Sequence, residues 1–503
     1  MSTKMNLRDR SPMSSSWVWK KKLPRFLAAA CLIGTLLFFI GPRINHHKLE
    51  EDIVQAASDT AKTVADITAQ PPPAENITVT SKVGCEPDLD VLERLGVKKL
   101  SKYVRREVIA VQAPMNPPLT QVLETPLFDK HSIGWRAPEN AEPLQSDCSI
   151  ATPLTLQVPR PVEHIDASHF DFGVATTLDR LNESLDAFTH WAGNTGVRIF
   201  ALIEPDRRVP EVLAKAERLG IQLFVTESGE EYQTRYFSLV SHLAHNLREE
   251  TRWSCIIDDD TFFLSISALV EAFEHYDHTQ QMYVGGVSES VAQIGLFGLM
   301  GFGGAGVFLS RPLIEQLSKP EVFDACQQMV YTGDRRISLC VYQYSDASLT
   351  IDHRLRQLDF RGDASGFFEA ARPLPLSVHH WKSWFHTDMT KLSQVSEVCG
   401  DSCLLRKFRF ADGWTLTNGF SIIKYSKELS LDDHSMELTW DGDHGANREA
   451  FMHELGPLRE KDDGKVSYLM ADSVTDGNQV RQWYIRRDES NGDAVFELTW
   501  RRQ

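Results

Sequence analysis

An apolar run from Trp253 to Ile257 stops abruptly at three consecutive carboxylates, in the stretch Cys255-Ile256-Ile257-Asp258-Asp259-Asp260-Thr261. A buried strand cannot carry three charges, so the acids are expected at its end, where the chain emerges at a sheet edge. In an open α/β sheet, ligands bind outside the carboxyl ends of the strands. Three adjacent acids repel one another unless something positive joins them, and a divalent cation with oxygen ligands suits that need. The competing reading is local: Asp260 and Thr261 cap a helix expected over 264–275.

The surrounding sequence alternates strands and helices. Residues 170–175 read as a strand running into Thr176-Thr177. A helix is expected over 178–192, where Leu178, Leu181, Leu185, Phe188 and Trp191 recur at three and four. Strands at 197–203 and 222–225 and helices at 210–219 and 235–248 continue the rhythm. It predicts an α/β domain over 151–425 whose mainly parallel sheet is covered on both faces. Past 425 come short alternating strands at 436–440, 466–470, 480–485 and 495–500, between Asp- and Gly-rich turns. Residues 426–503 therefore read as a small C-terminal β extension.

The amino-terminal part is of another kind. Residues 26–41 form an uncharged apolar block, slightly short of the roughly 20 residues that span a bilayer straight. Lys4, Arg8, Arg10, Lys20, Lys21, Lys22 and Arg25 precede it, so the positive-inside rule places residues 1–25 in the cytosol. A cleaved signal peptide is the competing reading, but the basic region is long and Gly41-Pro42-Arg43 is a poor cleavage site. The expectation is a single-pass signal anchor followed by a stem over 42–150, Ala-, Thr-, Asp- and Pro-rich in its first part. Asn76-Ile77-Thr78 would be a glycosylation acceptor in that stem, and Asn182-Glu183-Ser184 is a second such sequon, in an expected helix. Local spacing suggests the disulfides Cys399–Cys403, Cys326–Cys340 and Cys85–Cys148, with Cys255 left as a buried thiol. The absence of a CxxC pair argues against zinc, and the net charge of −16 argues against nucleic acid as a partner.

Four further segments bear on chemistry. Thr176, Thr177 and Arg180 place hydroxyls, helix amides and a guanidinium where a diphosphate or nucleotide could sit, although a helix cap with a surface arginine looks the same. Tyr283-Val284-Gly285-Gly286 and Gly301-Phe302-Gly303-Gly304-Ala305-Gly306 allow close backbone approach, or simply a tight turn. Asp334, in Thr332-Gly333-Asp334-Arg335, is a helix cap or a general base facing a hydroxyl. His379 and His380, in Leu376-Ser377-Val378-His379-His380-Trp381, offer an imidazole to complete an Asp/His metal set.

In this order the motifs resemble the Fringe-like glycosyltransferases of family 31. Among these, the chain is most similar to fungal and plant members related to core-1-type β-1,3-galactosyltransferases. The resemblance covers roughly 165–425 and implies a GT-A fold, a Rossmann-like sheet with a nucleotide-sugar at the carboxyl ends of its strands. It implies a DxD motif made by Asp258 and Asp260, with Mn²⁺ held by Asp258, Asp260 and His379, and His380 as the alternative imidazole. Thr176, Thr177, Arg180, Asp258 and Asp259 would then contact the nucleotide-sugar, and Gly303, Gly304, Ala305 and Gly306 would line the donor and acceptor cleft. Asp334 would be the catalytic base, although many members carry two acids there and this chain has Gly333 before it and Arg335 after it. The implied reaction is inverting transfer of a hexose, galactose favoured, from a UDP-sugar to a glycan or glycoprotein hydroxyl, in a β-1,3 linkage. The setting would be the Golgi or endoplasmic reticulum, as a type II membrane protein with its catalytic domain lumenal. A nucleotide-sugar or glycan-binding pseudoenzyme and a lumenal metal-dependent hydrolase are the alternatives.

Overall fold

Strand Trp253–Ile257 is buried over its whole length, as is Phe170–Thr176 beside it. Such runs belong to the middle of a sheet covered on both faces. The computed structural model describes residues 87–128, 152–162, 164–430, 433–442 and 448–503. The expected cytoplasmic tail, anchor 26–41, Asn76 and the Cys85–Cys148 pairing lie outside these residues. Among the described residues, no helix is long and apolar enough to cross a membrane.

Seven strands form the central sheet: β1 Phe170–Thr176, β2 Arg198–Ile203, β3 Gln222–Glu227, β4 Trp253–Ile257, β5 Tyr283–Gly285, β6 Val307–Ser310 and β7 Leu349–Ile351. Their order is β7-β5-β6-β4-β1-β2-β3. All neighbours run parallel except β6, which is antiparallel to both β4 and β5. The expected mainly parallel α/β sheet is therefore present, as a mixed sheet with one reversed strand near its middle. Helix α1 Leu178–Ala192 follows β1, α2 Val209–Arg218 follows β2 and α3 Tyr232–His245 follows β3. The periodic residues of α1 face inward: Leu181, Leu185, Phe188 and Trp191 are fully buried. Burying each such side chain is worth about 1.5–3 kcal/mol. Phe172 and Cys255 face one core cluster and Ile256 the other, so the sheet separates two hydrophobic layers.

Two expectations about boundaries are corrected. The expected C-terminal extension 426–503 and part of the expected stem, 100–112, contribute strands to one sheet instead of standing apart. Val466–Asp476, Gln479–Arg486 and Asp493–Arg502 are the centre of a nine-stranded sheet. On one side they pair with Ser421–Lys424, and on the other with Leu100–Gln112, from the region assigned to the stem. Leu100–Gln112 lies between Leu154–Val158 on one side and Asp493–Arg502, almost four hundred residues away, on the other. Phe496, Leu498 and Trp500 join the same core cluster as Phe172 and Trp191. Cys326–Cys340 and Cys399–Cys403 are bonded and Cys255 is a buried free thiol.

A chain ending at residue 425 loses three adjacent strands and leaves two unpaired edges inside one sheet. Such a fragment is expected to aggregate, or to show no cooperative unfolding by circular dichroism, where the intact chain unfolds sharply. A soluble, cooperatively folded fragment would show that 426–503 is an extension the rest does not need.

Candidate active site at the carboxyl end of the central sheet

The acids leave β4 in a closed turn. The Asp258 amide donates to Thr261 Oγ1 at 3.1 Å, and the Thr261 hydroxyl donates to the Gly304 carbonyl at 2.9 Å. Capping is done elsewhere: Ser265 Oγ accepts from the Ala268 amide at 3.1 Å and starts helix α4 Ile266–Phe273. Asp260 and Thr261 are therefore not the cap of that helix.

Each carboxylate has a different environment. Asp259 is buried against the start of α1, because Val174 of β1 pairs in register with Ile257. Arg180 grips it through Nε and Nη2 at 2.7 and 2.6 Å, Thr176 donates its hydroxyl to it, and Lys382 Nζ lies 3.4 Å away. Arg180 and Thr176, expected to face a nucleotide, thus also hold Asp259, with the Arg180 side chain still half exposed. Asp259 in turn is an internal counter-ion, although all three residues still line the adjoining cavity. Thr177 caps α1, its hydroxyl accepting from the Arg180 amide at 3.4 Å.

Asp258 and Asp260 face the other way, toward His379. Phe262–Phe263 pairs antiparallel with Ser377–Val378, opposite Val378 and Ser377, and this short ladder carries His379 back beside the acids. His379 Nε2 lies 2.9 Å from Asp260 Oδ1 and 3.4 Å from Asp258 Oδ2. Burial pushes the Asp258 carboxyl up to about 7, with the neighbouring Asp260 charge adding to the rise. Burial would lower the His379 imidazole, but Asp260 and Asp258 outweigh it and hold it up to about 9. The same imidazole charge keeps Asp260 well below the usual carboxylate range, against the cost of its burial. The His380 ring lies against His379, with centroids 3.7 Å apart and planes tilted by 32°, and burial and that neighbour push it down to about 4.

This set suits a divalent cation. Ligand atoms of Asp260, His379 and His380 lie within 4.8 Å of one another. Neighbouring ligands on an octahedral ion with bonds of about 2.1 Å stand roughly 3 Å apart, close to the two His379 distances. Mixed carboxylate and imidazole donors suit Mn²⁺ or a similar ion.

Two cavities meet at this cluster. One, of about 430 Å³, reaches toward Thr176, Thr177 and Arg180; the other, of about 360 Å³, reaches toward Asp334. Tyr232, Asp258, His379, His380 and Trp384 line both. Asp334 sits at the start of a helix, Gly333–Tyr344, with Oδ1 accepting from Thr332 Oγ1 and the Arg335 amide at 2.9 and 2.8 Å. Burial raises its carboxyl. Gly303, Gly304, Ala305 and Gly306 are buried behind the wall instead of facing the cavities. A Cβ on Gly304 would overlap the His379 ring, and one on Gly303 would overlap the Tyr236 hydroxyl. These glycines make room for protein side chains. Ser184, of the second sequon, is buried with its hydroxyl on the Asp259 carbonyl at 2.6 Å.

Sequence reasoning missed Tyr232, Trp384, Ser383 and Asp359. Ser383 and Trp384 follow the His379-His380 motif within four positions and carried a faint signal. Tyr232 and Asp359 carried none.

Residues 296–400 match the model of a family described as a protein of unknown function, DUF604. That stretch holds Gly304, Asp334, His379 and His380, and begins after the three acids. No curated protein matches the chain in sequence. Among solved structures, it is similar to the glycosyltransferase GlyE of Streptococcus pneumoniae TIGR4, at 15% identity and a TM-score of 0.30 over 44% of this chain. The chain spans 58% of GlyE. Mouse xyloside xylosyltransferase 1 overlaps 42% of this chain and 96% of its own, at 11% identity and a TM-score of 0.29. The galactosyltransferase LgtC overlaps 43% of this chain and 87% of its own, at 12% identity and a TM-score of 0.30.

The contact between Gly304 and His379 yields a direct test. Gly304→Ala should displace the imidazole and weaken Mn²⁺ binding at least tenfold, at a stability cost of about 1–3 kcal/mol for overpacking. Calorimetric titration with Mn²⁺ and a denaturant melt read the two effects, and unchanged Mn²⁺ affinity would contradict the arrangement.

Proposed function

We propose that this chain is a metal-dependent glycosyltransferase that moves a hexose, galactose favoured, from a UDP-sugar to a glycan hydroxyl with inversion. The observation that carries this reading is the meeting of two cavities at one carboxylate–imidazole cluster. The cavity beside Thr176, Thr177 and Arg180 would take the nucleotide, the one beside Asp334 the acceptor. Tyr232 and Trp384, which line both, would flank the sugar that passes between them. A β-1,3 linkage follows from the family resemblance alone.

Asp258, Asp260 and His379 would hold the cation, which when bound neutralises charge developing on the departing diphosphate. Asp259 keeps Arg180 and the start of α1 fixed at the edge of the nucleotide cavity. Asp334 would accept the proton of the attacking hydroxyl; Thr332 and the Arg335 amide fix Oδ1 and so orient the carboxylate. Its raised affinity for a proton suits a base working near neutral pH. The reading includes an anchor at 26–41 and a lumenal catalytic part in the Golgi or endoplasmic reticulum. The Cys326–Cys340 and Cys399–Cys403 bonds agree with an oxidising compartment.

The test is donor hydrolysis and transfer with a panel of UDP-sugars, with Mn²⁺ or with EDTA. One sugar should release UDP with Mn²⁺, and both EDTA and Asp260→Ala should abolish release. Nucleotide binding without turnover for any donor or acceptor would leave a binding protein, and no Mn²⁺-dependent binding at all would reject the site. Asp334→Asn should lower kcat by roughly 10²–10⁴ with Mn²⁺ affinity retained. The base must be ionised to act, so activity at saturating Mn²⁺ should fall as pH drops through the raised Asp334 value. That acid limb should lie above the ordinary carboxylate range and disappear in Asp334→Asn; an unaltered pH profile in the variant would remove Asp334 from the role.

A further inference from the structure

Residues 379–384 fold back on themselves. His380 has a φ of +60°, a left-handed backbone that costs a residue with a side chain on the order of 1–3 kcal/mol. The Ser383 and Trp384 amides both donate to the His380 carbonyl, at 3.2 and 3.0 Å, and close a turn around its ring. Inside that turn the imidazole is held on three sides. Nε2 lies 3.1 Å from the buried Asp359 carboxylate, and Nδ1 lies 3.2 Å from Ser383 Oγ. The ring stacks on Trp384 with centroids 4.0 Å apart and planes 3° from parallel. The Ser383 hydroxyl then donates to Asp260 Oδ2 at 2.8 Å. A continuous line of contacts therefore runs from Asp359 through His380 and Ser383 to Asp260.

Resting on the metal-dependent reading above, we propose that His380 is a positioning residue and not a cation ligand. Through Ser383 it fixes the Asp260 carboxylate by Oδ2, which leaves Oδ1, beside His379 Nε2, as the oxygen that would meet a cation. Both His380 nitrogens already have partners, whereas His379 Nε2 points at the two carboxylates themselves. A carboxylate held at one oxygen presents the other in a single direction, so ordering of Asp260 is complete before the ion arrives. The strained backbone fits the same role. Glycine would adopt this turn without strain, so the histidine is kept for its ring. With the Ser383 proton on Asp260, the single N–H of a neutral His380 ring is on Nδ1 and donates to Ser383 Oγ, while the Trp384 stack holds the plane of the ring. The contrary arrangement has Nδ1 of His380 leave Ser383 and ligate the ion directly, and the test separates the two.

Mn²⁺ binding to the full-length protein, read from the electron paramagnetic resonance of the free ion, is compared with thermal unfolding in the absence of metal. Loss of an outer-shell partner weakens metal binding by roughly 10- to 100-fold. Ser383→Ala should therefore bind Mn²⁺ about tenfold more weakly and unfold with the parent. His380→Gly, which relaxes the backbone, should fold and bind about 10- to 100-fold more weakly, while His379→Ala should lose binding altogether. Unchanged affinity in Ser383→Ala overturns the proposal. So does a His380→Gly protein that loses binding as completely as His379→Ala, because that result makes His380 a ligand. If His380→Gly does not fold, Ser383→Ala carries the comparison by itself. A parent protein that binds no Mn²⁺ rejects the metal-dependent reading itself, whereas failure confined to the variants leaves that reading standing.

Discussion

Three carboxylates at the end of one buried strand repel each other, and the site depends on how that repulsion is relieved. Asp259 turns back to Arg180 and Lys382, while Asp258 and Asp260 turn forward to His379. Coulomb energy at these separations is several kcal/mol at the effective dielectric of a protein surface. Neither half of the arrangement is therefore dispensable. The different directions come from the turn that follows the strand, closed by the Thr261 amide on the Asp258 carbonyl at 3.1 Å. The forward pair is left with a buried imidazole between two acids, a group that a divalent ion can replace or join.

That balance requires a second element from far along the chain. The two-residue ladder between Phe262–Phe263 and Ser377–Val378 is short, yet it sets the register that puts His379 against Asp260. Glycines support the approach: Gly304 has no side chain to collide with the His379 ring, and Gly303 leaves space for Tyr236. A third layer comes from the nine-stranded sheet, whose Phe496, Leu498 and Trp500 join the core beneath the central sheet. The ends of the chain thus stabilise a site formed by its middle. Strands at 100–112 and 493–502 pair across almost the full described length, a closure that is entropically costly and is offset only by the packing it completes.

Much of the central architecture is legible in the sequence. The three-and-four spacing of Leu178 to Trp191, the proline at the start of α2 and the apolar run into Asp258 each report a local preference that tertiary structure reinforced. The disulfides Cys326–Cys340 and Cys399–Cys403 were legible because their loops are short. The domain boundaries were not. Composition in the first part of the expected stem gave no warning that 100–112 pairs with the last strand, and the alternation after 425 could not say what it pairs with. Pairing partners in a sheet are non-local, and alternation encodes a face but no neighbour.

For the site, the sequence by itself determined which groups are available: a triplet of acids at a strand end, a histidine pair after another strand, and an acid at a helix start. Strand-end position and residue type follow from local hydrophobic pattern, and both survive in the fold. Only the tertiary structure decided which partner each group takes. It gave Arg180 and Thr176 to Asp259, put Gly303 and Gly304 behind side chains, moved the helix cap to Ser265, and set His379 against the acids with His380 on Asp359 and Ser383. The physical reason is that a hydrogen bond is decided over a few tenths of an ångström. Such distances are fixed by the register of strands brought together from across the chain, which no local pattern of residues contains.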